Sequence, residues 1–100
     1  MQAVLTKLGS DLRNARTRRR IQQVTMAEAL NVSLPTLRKV EKGDPTVAFG
    51  VYVAYLSQLG MAERLADLAD ARYDKVGLSL ENERLPKRIG KTTGKGEDAK

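Results

Sequence analysis

The chain has no cysteine, no histidine and no tryptophan, and phenylalanine occurs once. Without cysteine there is neither a disulfide framework nor a thiolate zinc site, so a reducing cytoplasm is the expected location. Without histidine there is no imidazole base and no common metal ligand. A nucleophile would then need a Ser or Thr beside a lysine or carboxylate base, and no spacing offers that pair. The expectation is a protein with no catalytic residues, no metal and no cofactor, and therefore not an enzyme. Long apolar runs are missing too: none approaches the ~20 residues that span a bilayer. At the N-terminus, Thr6 and Lys7 separate Leu5 from Leu8, which leaves no signal-peptide core and no reason to expect a membrane partner.

Aromatic residues make up 4% of the 100 residues, whereas Leu, Val and Ala are abundant, a balance that favours packed helices over a sheet-rich sandwich. That length allows one compact domain around a modest core, with a tail. The net charge of +6 is unevenly spread. Residues 1–43 hold nine Lys/Arg against three Asp/Glu, residues 44–86 four against seven, and residues 87–100 five against two. A basic front followed by an acidic middle predicts two surfaces with different partners.

Leu5, Leu8, Leu12 and Ala15 recur at three- and four-residue steps, predicting a helix over residues 4–18. A second runs from Gln23 to Leu30 with Met26, Ala27 and Leu30 inward, ended by Asn31, which tolerates the left-handed conformation. Ser33 suits an N-cap and Pro35 the first turn of a third helix over residues 34–42, stopped by Gly43. After the loop at Asp44-Pro45-Thr46, the residues Phe49, Tyr52, Val53, Leu56 and Leu59 mark a fourth helix closed by Gly60. Tyr52 and Tyr55 fit core or dimer contacts, and Met26 and Met61 fit packing positions. Met61, Leu65 and Leu68 predict a fifth, acidic helix ending near Asp70. Beyond it "VGLSLEN" alternates weakly, as a short strand or an extended arm would, and residues 90–100 read as a disordered tail. The division expected is 1–72 for the helical domain, 73–89 for the arm and 90–100 for the tail. "GKTTGKG" in that tail is one residue short of a phosphate-binding loop and has no strand or helix to frame it.

Two short helices joined by a tight turn, the second capped and cationic, form the helix-turn-helix pattern. At 100° per residue, Leu37 and Val40 point inward with Glu41 beside them. Pro35, Arg38, Lys39 and Lys42 point outward, flanked by Leu34 and Thr36. Such a face fits the major groove, where cations meet phosphates and guanine edges and apolar groups meet thymine methyls. The run Arg16-Thr17-Arg18-Arg19-Arg20 could track the phosphate backbone.

"QVTMAEALNVSLPTLRKVEKG", residues 23–43, resembles the Xre/lambda-repressor-like helix-turn-helix family. The matching positions are Gln23, Ala27, Val32, Ser33, Thr36, Leu37, Val40, Glu41 and Gly43, and the likeness extends over about residues 5–70. It implies an all-α, five-helix domain that binds an inverted-repeat operator as a homodimer, with two third helices ~34 Å apart. The resemblance also implies roles. Gln23 would contact phosphate; Leu34, Pro35, Arg38 and Lys39 would face bases; Ser33 and Thr36 would hold phosphate or nearby edges; Arg16 would pair with Glu41. Lys42 on the outward face and Arg18 in the arginine run are DNA-binding candidates from their positions alone. Asn31 replaces the usual turn glycine, and Arg20 replaces a frequent glycine, which predicts a longer or straighter connection into the second helix. Because Leu34 and Pro35 hydrogen-bond poorly, Arg38 and Lys39 are expected to carry more of the base discrimination.

"GDPTVAFGVYVAYLSQLGMAERLADLAD" with "LENERLPKRI" is similar to HipB-type antitoxins, encoded beside HipA-like kinase toxins. That likeness implies a repressor of its own operon that also binds a Ser/Thr kinase toxin. The acidic middle, with Glu63, Asp67, Asp70, Asp74, Glu81 and Glu83, reads either as a protein-facing surface or as a solvated helix face. Two alternatives stand beside it: a stand-alone Xre-type regulator, or a protein-interaction adaptor whose DNA face is idle. Non-specific RNA binding is disfavoured by the lack of interleaved aromatics.

Overall fold

Leu12 and Ala15 are buried and Leu5 and Leu8 half-buried along one side of the first helix of the computed structural model, which describes residues 1–84. Regular structure among those residues is helical throughout: α1 (Gln2–Arg18), α2 (Gln23–Leu30), α3 (Leu34–Glu41), α4 (Phe49–Gln58), α5 (Glu63–Ala66), a 3-10 turn (Ala71–Tyr73) and α6 (Lys75–Arg84). The chain divides into two compact units, Met1–Ala66 and one beginning at Asp67. No helix among the described residues is long and apolar enough to cross a membrane.

The first unit surrounds one core. Leu12 and Ala15 of α1, Met26 and Ala27 of α2, Leu37 and Val40 of α3, and Tyr52, Tyr55 and Leu56 of α4 with Leu59 are all buried together. Two glycines let α1 lie close to the end of α3. A Cβ on Gly9 would stand 2.6 Å from the carbonyl oxygen of Val40, and one on Gly43 would collide with the backbone of Leu5. The amide of Gln2 donates to the Gly43 carbonyl at 3.0 Å, tying the start of α1 to the same place.

Helices α1 to α4 end in the same way. A residue with positive φ follows each, and two backbone N–H groups fold back onto the last-turn carbonyls, the paired bonds of a Schellman motif. The reversing residues are Arg20, Asn31, Gly43 and Gly60. The bonds run from Ile21 to Arg16 and Arg20 to Thr17, from Val32 to Ala27 and Asn31 to Glu28, from Asp44 to Lys39 and Gly43 to Val40, and from Met61 to Leu56 and Gly60 to Ser57. Arg20 therefore corrects one expectation. With φ at 57° it makes the left-handed turn that a glycine would make, and the connection is neither longer nor straighter.

Three further differences have local causes. Phe49 begins α4 but is 60% exposed, so it marks the helix without joining its core. The fifth helix is a single turn, Glu63–Ala66, and does not reach Asp70. Leu68 stays exposed, so no burial rewards its extension, while the Asp70 carboxylate caps the following 3-10 turn by accepting from the Arg72 N–H at 2.8 Å. Where a strand or extended arm was expected, residues 75–84 are helical. Asp74 starts α6 by accepting from the Gly77 N–H at 2.9 Å, and Val76, Leu78 and Leu80 are exposed rather than lodged on one face of a sheet. The expectations for residues 85–89 and for the tail at 90–100 lie outside the described residues.

Candidate nucleic-acid interface

Helix α3 is set by its first turn. Ser33 adopts an extended backbone, its Oγ accepts from the Thr36 N–H at 3.2 Å, and its hydroxyl also bonds the Thr36 hydroxyl at 3.0 Å. Pro35 sits where a missing N–H costs nothing. The helix then divides sharply. Leu37 and Val40 are 0% exposed and Glu41 7%, whereas Ser33, Pro35, Arg38, Lys39 and Lys42 are exposed. Leu34 and Thr36 are half-buried, and Leu34 packs partly against the core, which leaves Pro35 as the exposed apolar group at the tip.

Beneath the exposed face lies a buried polar network. Arg16 donates from Nε to Glu41 Oε2 at 2.7 Å and from a terminal nitrogen to Oε1 at 3.2 Å, a bidentate pair with both side chains buried. Its remaining terminal nitrogen donates to the Ile21 carbonyl at 2.7 Å and so braces the α1–α2 turn. Glu41 also accepts from the Gln23 amide at 2.9 Å and from the Tyr55 hydroxyl. Four donors thus converge on one carboxylate. Burial alone would push that carboxyl up; the bonds from Arg16, Tyr55 and Gln23 outweigh it and hold it below its ordinary value. The bond to Glu41 raises the Arg16 guanidinium above its usual range, and burial, then Glu41, drives the Tyr55 phenol upward.

Of the cationic run ending α1, two members are bonded to other groups of the fold. Arg16 holds Glu41, and Arg19 donates to the carbonyls of Ala15 at 2.9 Å and Leu59 at 3.1 Å, so it caps α4. Arg18, Arg19 and Arg20 are all exposed, and of the run only Arg16 is buried. Among the described residues, no hydrogen bond or ion pair occupies the side chains of Arg18, Lys39 or Lys42. Arg38 does have a neighbour: its Nε donates to Gln23 Oε1 at 3.4 Å.

The structure therefore brings Gln23 and Arg38 together, and Arg16 with Glu41, while Ser33 and Thr36 face one another across the first turn of α3. Sequence reasoning missed the parts of Tyr55, Arg19 and the inward amide of Gln23. The signal for Tyr55 was faint but present, since a phenol on a core-facing position needs a partner for its hydroxyl. Nothing in the spacing distinguished Arg19 from Arg18.

Two acidic residues of the second unit share one arginine. Asp70 binds the Arg72 guanidinium at 3.0 Å and Asp67 approaches it at 3.4 Å, while Asp74, Glu81 and Glu83 are exposed. No group of three His, Cys, Asp or Glu side chains among the described residues could hold a metal ion. Comparison with protein-family models, with curated proteins and with solved structures gives no match.

Proposed function

We propose that the protein is a sequence-specific transcriptional repressor of the Xre/lambda-repressor-like helix-turn-helix type, binding an inverted-repeat operator as a homodimer. It is not an enzyme and uses no cofactor. The observation that carries this reading is the division of α3: Leu37 and Val40 at 0% exposure anchor the helix, and Arg38, Lys39 and Lys42 stand exposed on its other side. An anchored helix with exposed cations suits the major groove, because the buried side fixes its docking angle while the exposed side reaches phosphates and base edges. Ser33, Thr36 and Pro35 at the start of α3, with the inner-leaning Leu34 behind them, are the remaining groups near the bases. Arg18 supplies a phosphate contact from α1.

Within that class the protein acts as an antitoxin of the HipB type that represses its own operon and binds a HipA-like Ser/Thr kinase toxin. Support comes from the second unit, where Leu68, Tyr73 and Val76 are exposed beside acidic side chains that would repel DNA. The same residues favour the adaptor reading if the DNA face is idle. Titration against the DNA upstream of its own reading frame, beside a scrambled duplex, tests the repressor. Preference for the upstream DNA is expected, and equal affinity for both would sink it. Co-purification with the product of an adjacent kinase-like reading frame tests the antitoxin.

A further inference from the structure

We infer that Gln23 is a positioning residue for base recognition, relaying the buried Arg16–Glu41 pair to Arg38 so that the Arg38 guanidinium presents a fixed fork to a guanine. The inference rests on the DNA-binding reading and assigns Gln23 a role different from a phosphate contact.

The argument begins with the carboxylate. Ionised Glu41 can only accept, so the Gln23 group that faces it at 2.9 Å must be the amide nitrogen. Glu41 cannot swing away to face Gln23 differently, because Arg16 grips both its oxygens at 2.7 and 3.2 Å and Tyr55 adds a third donor. With the nitrogen committed inward, Gln23 Oε1 is turned to the surface, where it accepts from Arg38 Nε at 3.4 Å. The chain of donors runs one way: Arg38 to Gln23, and Gln23 with Arg16 to Glu41.

What this does for Arg38 follows from its geometry. A guanidinium carries five N–H donors in one plane. Capture of the Nε–H by Gln23 fixes that plane and leaves both terminal nitrogens facing outward, the pair suited to the O6 and N7 acceptors of guanine. An unrestrained arginine would sample many rotamers before docking and would settle on a phosphate as readily as on a base. Lys39 has no such brace, so it acts as a mobile charge beside an oriented one.

The decisive experiment pairs two measurements on the full chain. Duplexes selected by the wild-type protein from a random pool give a preferred site, and Arg38→Ala identifies the base pair whose preference it loses. Gln23→Met keeps the length of the side chain but can neither donate nor accept. It is expected to lose about fivefold or more of the preference at that same base pair, and to lose nothing further in an Arg38→Ala background. A Gln23→Met protein that weakens every duplex equally, with the loss persisting beside Arg38→Ala, would overturn the inference in favour of a phosphate contact. The second measurement needs no DNA and no variant. In the free wild-type protein, the Arg38 Nε–H is expected to exchange with solvent more slowly than that of Arg18, as followed by nitrogen-15 NMR. Equal rates overturn the relay even if DNA is bound specifically. Failure of the wild-type protein to select any sequence overturns the repressor reading and the recognition role with it, while the exchange rates still report whether Gln23 holds Arg38.

Discussion

Glu41 is the residue on which the first unit turns. It sits on the inward side of α3, yet it is charged, and Arg16, Gln23 and Tyr55 all donate to it. Removing one partner of such a buried pair leaves the other uncompensated, so Arg16→Met should cost about 3–5 kcal/mol in urea denaturation. Tyr55→Phe removes only one bond to a charged acceptor and should cost about 1.5–3 kcal/mol. The network also contributes to both limbs of the pH profile. The folded Glu41 carboxyl lies below its unfolded value of about 4.3, so its stabilisation is present above that pH and is lost as pH falls through the folded value. Tyr55 is shifted the other way, so its contribution is full below the unfolded value of about 10 and is lost as pH rises through the folded one. Denaturation midpoints should therefore be level between those limits; Tyr55→Phe should remove the Tyr55 share of the alkaline limb, leaving that of Tyr52, and should weaken the acid limb less strongly, because Glu41 keeps its Arg16 and Gln23 donors. Spacing placed Tyr55 inward and Glu41 beside the core, but helical periodicity describes one helix at a time. That the two meet depends on how α3 packs with α4, which no period within either segment encodes.

The elements are governed by their ends. Ser33→Ala removes the oxygen that accepts from Thr36 and should destabilise by about 1 kcal/mol. At the turn after α1, Arg20 holds a left-handed conformation that costs a non-glycine residue about 1–2 kcal/mol. Arg20→Gly should therefore stabilise the protein by about 0.5–1 kcal/mol, the larger entropy of unfolded glycine offsetting part of the relief. Gly43→Ala should do the reverse, costing more than about 2 kcal/mol, because a side chain there meets both the same backbone penalty and the Leu5 backbone. Thermal or urea unfolding of the three variants separates these outcomes by sign as well as size. Helices α2 and α3 were legible almost to the residue because Asn31, Ser33, Pro35 and Gly43 punctuate them. The turn at Arg20 was not, since arginine carries no local preference for positive φ. The α6 segment was misleading for a different reason. Val76, Leu78 and Leu80 alternate as a strand would, but alternation specifies a strand only when a neighbouring strand takes up its hydrogen bonds, and the Asp74 cap offers the backbone a local solution instead.

Across the molecule, the charge asymmetry was plain in the sequence, yet its availability was not. Residues 1–43 hold nine cations, but Arg16 and Arg19 are bound to Glu41 and to backbone carbonyls within the fold, so the number of arginines overstates what a polyanion can meet. Arg18, Arg38, Lys39 and Lys42 are the exposed cations assigned to DNA, four per protomer. With Arg38 on a base edge, the other three meet phosphates, so a dimer neutralises about six phosphate charges, and the logarithm of the binding constant should fall with the logarithm of salt concentration at a slope near −5. Variants divide that slope by role. Arg18→Ala should make it shallower by about 2 per dimer and weaken all sequences alike, since a phosphate contact carries no base information. Arg38→Ala should instead reduce the ratio between the preferred and a scrambled duplex, because a braced guanidinium reads a base edge. Arg19→Ala provides the counter-case: its loss should lower thermal stability through the α4 carbonyl it caps while leaving the salt slope unchanged. A fall in slope for Arg19→Ala equal to that for Arg18→Ala would mean that the two exposed arginines share the DNA surface, and the division between unengaged and carbonyl-bound cations would have to be redrawn.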